Sequence, residues 1–426
     1  MLRRILGVLI YLPNIMPLGA LFQAEIFPWA FLYSLRKDLR LTLGYAIFLL
    51  YLVVSVSFML GSFSSILIPA RAFFALINAS MIFFVLINIK NKEFNFLVKA
   101  FEWVFLANMI LSSVQFLGLF PPFLDPLFRL FIDRFTAEIY GGGRGVAGLF
   151  AEPSYASMSF HYYFAFFMMS RRINPRSLYG IAAIAGIVAF DLFIIRSVTG
   201  VVMIVLYLAS MQKARDLLKA GLVITTVLGS SIYFLGQSSN APRSVEVAHD
   251  FFKYGAYQDP VPWLLEQSGF RFVSVWASYK YGFTHPFGSG IGGWGNASIQ
   301  AMDDIGVPAS AMSFFATVAG SEYQGVRPTS FAAGLMLETG IVGLLLFCIA
   351  FWPFVARRAL FADIHARSLM VFFLFNIFAL GSIGDPLPFI FFALAYRMVI
   401  VPDEADEPLV EMDAATEVGD KPIADA

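Results

Sequence analysis

A single cysteine, Cys348, and four histidines, His161, His249, His285 and His365, are all that 426 residues offer toward disulfide or soft-metal chemistry. One thiol cannot close an internal disulfide, and histidines scattered without ligand spacing cannot build a metal centre, so no metal or other cofactor is expected. No HExxH, CxxC or GxxxxGK(S/T) element occurs, which argues against a metalloprotease and a nucleotide-driven pump. Charge is scarce as well. Only 14% of the residues are charged, against roughly a quarter in soluble domains, so a water-exposed globule could not cover itself. The formal net charge is zero, and no nucleic-acid partner is expected.

What fills the chain instead is hydrocarbon: 59% of residues are hydrophobic and the mean hydropathy is +0.74. A bilayer core of about 30 Å needs roughly 20 apolar helical residues. On that measure the sequence predicts an all-α polytopic integral membrane protein with about twelve transmembrane helices, at 5–19, 21–35, 41–61, 72–89, 96–119, 154–170, 177–195, 197–211, 218–236, 331–355, 368–382 and 387–400. The apolar start behind Arg3 and Arg4 lacks a convincing small-x-small cleavage site and is taken as a retained first helix.

Basic residues should gather on the cytoplasmic side. With the N-terminus inside, Arg3/Arg4, Arg36/Lys37/Arg40, Lys90/Lys92, Arg171/Arg172/Arg176, Lys213/Arg215/Lys219 and Arg357/Arg358/Arg367 all fall there. The expected organisation is a transmembrane domain over 1–400 and a disordered acidic cytoplasmic tail over 401–426. Two long external segments remain, about 120–153 and 237–330, the second a large, partly helical extracytoplasmic loop between late spans. Loops of that length on a tightly connected protein usually carry function.

The external basic residues are mostly arginine: Arg71, Arg129, Arg134, Arg144, Arg196, Arg243, Arg271 and Arg327. Arginine binds phosphate oxygens through a rigid two-pronged fork, which lysine cannot do. That bias points to an anionic, phosphate-bearing ligand. For Arg71, Arg129 and Arg134 the better account is snorkelling to lipid headgroups.

The others sit in more telling surroundings. Arg144 lies in a glycine-rich run, Gly141 to Gly148, followed by Leu149-Phe150-Ala151-Glu152-Pro153-Ser154, where Pro153 suits a first helical turn. A helix start beside an arginine can hold an oxyanion. A flexible loop before an ordinary helix would read the same way. Arg196 follows Asp191 in Ile195-Arg196-Ser197-Val198-Thr199-Gly200. The two are either a polar site at membrane depth or a pair that satisfy each other. Arg271 opens an amphipathic helix, Phe270 to Trp276, leading to His285-Pro286-Phe287-Gly288-Ser289-Gly290-Ile291-Gly292. No strand precedes that glycine-rich turn, so it is not a dinucleotide site.

Taken in order, three segments resemble the Wzy-type polysaccharide polymerase and O-antigen ligase superfamily: Arg144 to Ser154, Arg271 to Gly292, and Ser330 with Leu337-Glu338-Thr339-Gly340-Ile341-Val342-Gly343. Arg196-Ser197-x-Thr199-Gly200 is similar to a short element found between the first two. The likeness covers about residues 140–350. It implies glycan transfer on the outer face of a bacterial inner (cytoplasmic) membrane, from an undecaprenyl-diphosphate-linked oligosaccharide, in capsule, exopolysaccharide or O-antigen synthesis. Membrane lipid, a chain-length regulator and a flippase are the implied partners.

A sugar hydroxyl would attack the anomeric carbon and lipid diphosphate would leave, which calls for positive donors and a base. The diphosphate candidates are Arg144, Arg196, Arg271 and Arg327. The base candidates are Glu152, Glu322 and His285, with a structural role capping its turn the better account of His285. Ligases of the superfamily usually place a histidine shortly before the Glu-x-Gly glycine. Gly325-Val326-Arg327-Pro328-Thr329-Ser330 has none, which favours a polymerase over a ligase. The rival from another class is a transporter or flippase, which should show related halves and mid-membrane ionisable residues. Neither stands out in the sequence.

Overall fold

The computed structural model describes residues 1–16, 25–36, 39–57, 66–132, 135, 139, 145–212, 249, 270–307, 325 and 327–401. The described residues form an all-helical bundle without a β-strand, beyond one isolated bridge between Ile15 and Ile132.

In chain order the helices are α1 (Leu2–Leu9), α2 (Pro28–Ser34), α3 (Leu43–Ser57), α4 (Leu67–Ile87), α5 (Asn91–Phe116), α6 (Asp125–Arg129), α7 (Pro153–Ser170) and α8 (Leu178–Phe190). They continue with α9 (Val198–Ser210), α10 (Phe270–Thr284), α11 (Trp294–Asp304), α12 (Phe331–Val355), α13 (Arg358–Ala362), α14 (Ile364–Phe378) and α15 (Leu387–Ile400). Their starts follow local chemistry. Pro153 and Pro28 occupy first-turn positions where a missing N–H costs nothing. Side chains of Ser177, Ser330 and Asp363 accept the free amides of Gly180, Ala333 and His365.

Four stretches are long and apolar enough to cross a membrane: Leu67–Ile87, Asn91–Phe116, Leu178–Ile195 and Phe331–Val355. Four shorter apolar helices, α3, α9, α14 and α15, pack among them. The two expected N-terminal spans are not spanning helices among the described residues. Eight- and seven-residue helices stand there, each about 10–12 Å long. Pro13 follows the end of α1 and Pro28 opens α2, and proline cannot continue a helix it enters mid-run. The expected span at 218–236 and the acidic tail beyond 401 lie outside the described residues.

The core is aromatic. Phe83 of α4 meets Phe351 and Phe354 of α12 and Phe392 of α15. Phe391 of α15 sits against Tyr11, Phe101, Tyr162 and Phe166. Helix α7 is buried almost throughout. The outside stays apolar too: Leu345, Ile349 and Trp352 expose one stripe of α12, and Trp103 and Leu178 stand out from α5 and α8. Contiguous exposed apolar surface of this kind needs a nonaqueous neighbour.

Helix α12 is broken. Gly340 has φ 64° and ψ −168° inside it, a conformation essentially confined to glycine. The turn after α10 fills the break with its own backbone: Ser289 N–H donates to Leu337 O at 3.0 Å, Gly290 N–H to Glu338 O at 2.8 Å, and Val342 N–H to Pro286 O at 3.2 Å. Tyr51 O–H donates to Thr339 O at 2.9 Å. A Cβ at Gly288 would collide with the Glu338–Thr339 backbone and one at Gly340 with Pro286. The second and third sequence segments are therefore one structural joint.

Candidate functional site

Three helices, α7, α9 and α12, begin around one small recess of about 30 Å³, which Arg271 of α10 also lines. Ser154, Tyr155 and Met158 of α7 line it, with Thr199 of α9, Arg271 of α10, Thr329 just before α12, and Leu380–Gly381 after α14. Each helix start leaves backbone amides without helical partners and carries a fractional positive charge. Hydroxyls from Ser154, Thr199 and Thr329 add donors, and Arg271 adds a full charge. An oxyanion with several acceptor atoms suits such a lining.

Hydrogen bonds brace the walls. Gly145 and Val146 donate N–H to Ile195 O and Ile194 O, both at 3.2 Å, so the first motif is sewn to the π-helical turn Asp191–Ile195. Gly148 N–H and Leu149 N–H donate to Gln115 Oε1 (2.9 Å) and Asn108 Oδ1 (3.3 Å) of α5. On the opposite wall Gly381 N–H donates to Thr329 O at 2.8 Å and Ser330 O–H to Ile377 O at 2.9 Å.

Two arginine–carboxylate groups flank this region. Arg271 Nη2 lies 3.3 Å from Glu152 Oε1, with both side chains reachable from outside. Arg327 is held from two sides, by Glu338 Oε1 at 2.8 Å and Glu25 Oε2 at 3.3 Å, and its guanidinium lies over the Trp294 ring. Glu338 is fully buried and its other oxygen accepts Gly292 N–H at 3.1 Å. Glu25 also accepts Ser382 O–H at 3.1 Å. Glu152, Glu25, Arg271 and Asp385 all act electrostatically on Tyr155, so both groups share one neighbourhood. Asp385, just before α15, caps Leu387 N–H at 3.0 Å, and burial pushes its carboxyl up to about 7.

The expected site residues divide as follows. Arg271 lines the recess and pairs with Glu152. Arg327 belongs to the buried clamp. Arg196 adopts a left-handed backbone (φ 54°), donates Nε–H to Phe193 O at 2.9 Å and covers the Phe116 ring. It does not pair with Asp191, whose buried carboxylate lies against Gly200 and Ser157 with no aligned hydrogen bond. His285 stacks on Tyr281 (4.0 Å between centroids, 13°) and its Nδ1 sits 3.2 Å from Tyr281 O. The 15 residues of α10 put it about 20 Å from Arg271, at the far end of the helix. Arg144 and Glu322 lie outside the described residues.

Sequence reasoning did not reach Glu25, Thr329 or Asp385. The signal available was small: lone acids, Glu25 and Asp385, in otherwise apolar stretches near helix starts.

No protein-family model, curated protein or solved structure matches the chain.

Proposed function

We propose that this is a multi-span membrane glycosyltransferase that joins lipid-diphosphate-linked oligosaccharide units, a polymerase of capsule, exopolysaccharide or O-antigen type, working at the recess beside Arg271. The observation that carries the reading is the convergence of three helix starts and an arginine on one recess, drawn from three of the four motif segments. Cytoplasmic termini and an extracytoplasmic recess are part of the same proposal.

In the proposed reaction the acceptor hydroxyl oxygen bonds to the donor's anomeric carbon as the bond to the diphosphate oxygen breaks. The leaving diphosphate takes the electron pair, and its developing charge is met by the Arg271 guanidinium, the helix-start amides and the hydroxyls. The hydroxyl proton passes to a carboxylate, for which Glu152 is the candidate, 3.3 Å from the recess-lining Arg271. Arg271 must be shared: a bound diphosphate competes with Glu152 for the guanidinium and frees that carboxylate to act as base.

Transporters use broken helices to expose backbone to a substrate. Here the broken segment of α12 is occupied by the turn 285–292, so the observation that would favour transport points instead to a structural joint.

The test is transfer with purified protein and lipid-diphosphate-linked repeat units, run for wild type, Arg271→Ala and Glu152→Gln. The expected outcome is a lipid-linked ladder from wild type and loss of transfer in both variants, with donor binding kept or tightened in Glu152→Gln. Flux of the lipid-linked sugar in liposomes with no transfer would overturn the reading.

A further inference from the structure

A second and larger cavity, of about 520 Å³, opens on the bundle's flank between α5, α7 and α8. Its walls are apolar, from Phe105 and Met109 of α5 to Phe164 and Phe167 of α7. Arg171 and Glu102 stand at one end, 2.6 Å apart, with the arginine side chain 57% exposed. Arg172 and Arg176 follow Arg171 in the chain and Lys99 lies one turn before Glu102 on α5, all three exposed, so basic residues outnumber acids at this end.

Gly186 of α8 lines the cavity, and a Cβ there would meet nothing within 4 Å. A mid-helix glycine weakens a helix relative to alanine, and no protein atom requires one here. Room for something outside the chain explains it. An apolar slot that opens sideways and ends in excess positive charge matches an acyl chain below an anionic headgroup. The basic end sits at the Ser170 end of α7, about 27 Å from the Pro153 end that carries the recess, so the slot is not part of that site.

We infer that the groove between α5, α7 and α8 is a binding site for an anionic glycerophospholipid, one acyl chain lying along Gly186 and the headgroup phosphate resting on Arg171 and its neighbours. The inference depends on the chain being membrane-embedded and not on the transfer reaction.

The test reconstitutes the full chain in nanodiscs of equal phosphatidylglycerol and phosphatidylcholine, re-extracts it in mild detergent, and identifies retained lipid by native mass spectrometry. Wild type should retain phosphatidylglycerol preferentially. The preference should fall about fivefold for each arginine removed in Arg171→Gln and Arg171→Gln/Arg172→Gln. Gly186→Phe, whose ring enters open space and leaves the bundle intact by gel filtration, should lose the lipid altogether. Equal retention of the two lipids by wild type, or unchanged retention in Gly186→Phe, overturns the proposal.

Discussion

Two arginine–carboxylate groups lie within reach of Tyr155, and they differ in nearly every physical respect. Arg327 is closed in by Glu338 and Glu25, with one carboxylate fully buried. Among the described residues Arg271 has one ion-pair partner, at 3.3 Å, and faces a recess, with its side chain 38% exposed. A buried group that loses one member leaves an uncompensated charge in a poor solvent. An exposed pair that loses one is re-solvated at little cost. The first arrangement therefore holds structure together, and the second leaves an arginine available to a ligand.

The comparison breaks most visibly at Glu338. Glu338→Ala leaves Arg327 with Glu25 alone and the Gly292 amide without its acceptor, and should cost on the order of 3 kcal/mol. A drop in melting temperature and loss of the monodisperse peak in detergent would show it. An unchanged melting curve would remove the distinction between the two groups.

At Arg271 the expectation reverses. Arg271→Ala should change stability by less than about 1 kcal/mol while lowering transfer about 100- to 1,000-fold, the usual effect of deleting a charge-stabilising donor. A variant that unfolds instead would make Arg271 a second clamp.

Asp385 sharpens the same contrast through pH. Its carboxyl is raised to about 7 in the folded chain, above the unfolded value of about 3.9. The folded state then holds the proton more tightly, so the stabilisation is complete below the unfolded value and is lost as pH rises through about 7. Stability should fall from pH 4 to 7 by on the order of 1 kcal/mol per pH unit. Asp385→Asn, neutral throughout, should flatten that slope in thermal scans. An identical slope in the variant would rule Asp385 out as its source.

The smallest effect belongs to His285. Its ring caps the end of α10, so His285→Ala should cost roughly 0.5–1.5 kcal/mol and leave the pH profile of transfer unchanged. Loss of one limb of that profile would return His285 to the list of bases.

Much of this was legible in the sequence. The later apolar helices stand close to where hydropathy puts them, at Pro153–Ser170, Phe331–Val355 and Leu387–Ile400, because length and composition decide them. Arg271 and Glu152 stood out because each opens a helix beside a motif. The clamp did not, since Arg327 and Glu25 lie 302 residues apart and Ser382 and Glu25 lie 357 apart. No local pattern encodes such a pairing. Arg196 was misleading for the opposite reason: closeness in sequence suggested a pair with Asp191, but the left-handed turn at Arg196 separates the two side chains.

The joint at Gly340 has a consequence for how the chain acquires its shape. Ser289 and Leu337, which help close the break, are 48 residues apart, and the turn leaves the ribosome before the helix it completes. The filler is thus already synthesised when its socket appears, and the kink at Gly340 divides α12 into two helical halves that the turn joins. Closure over so short a stretch of chain is fast compared with pairing across hundreds of residues. The α10–α12 joint should therefore be native-like early, with Glu25 and Arg327 finding each other on a surface it has prepared.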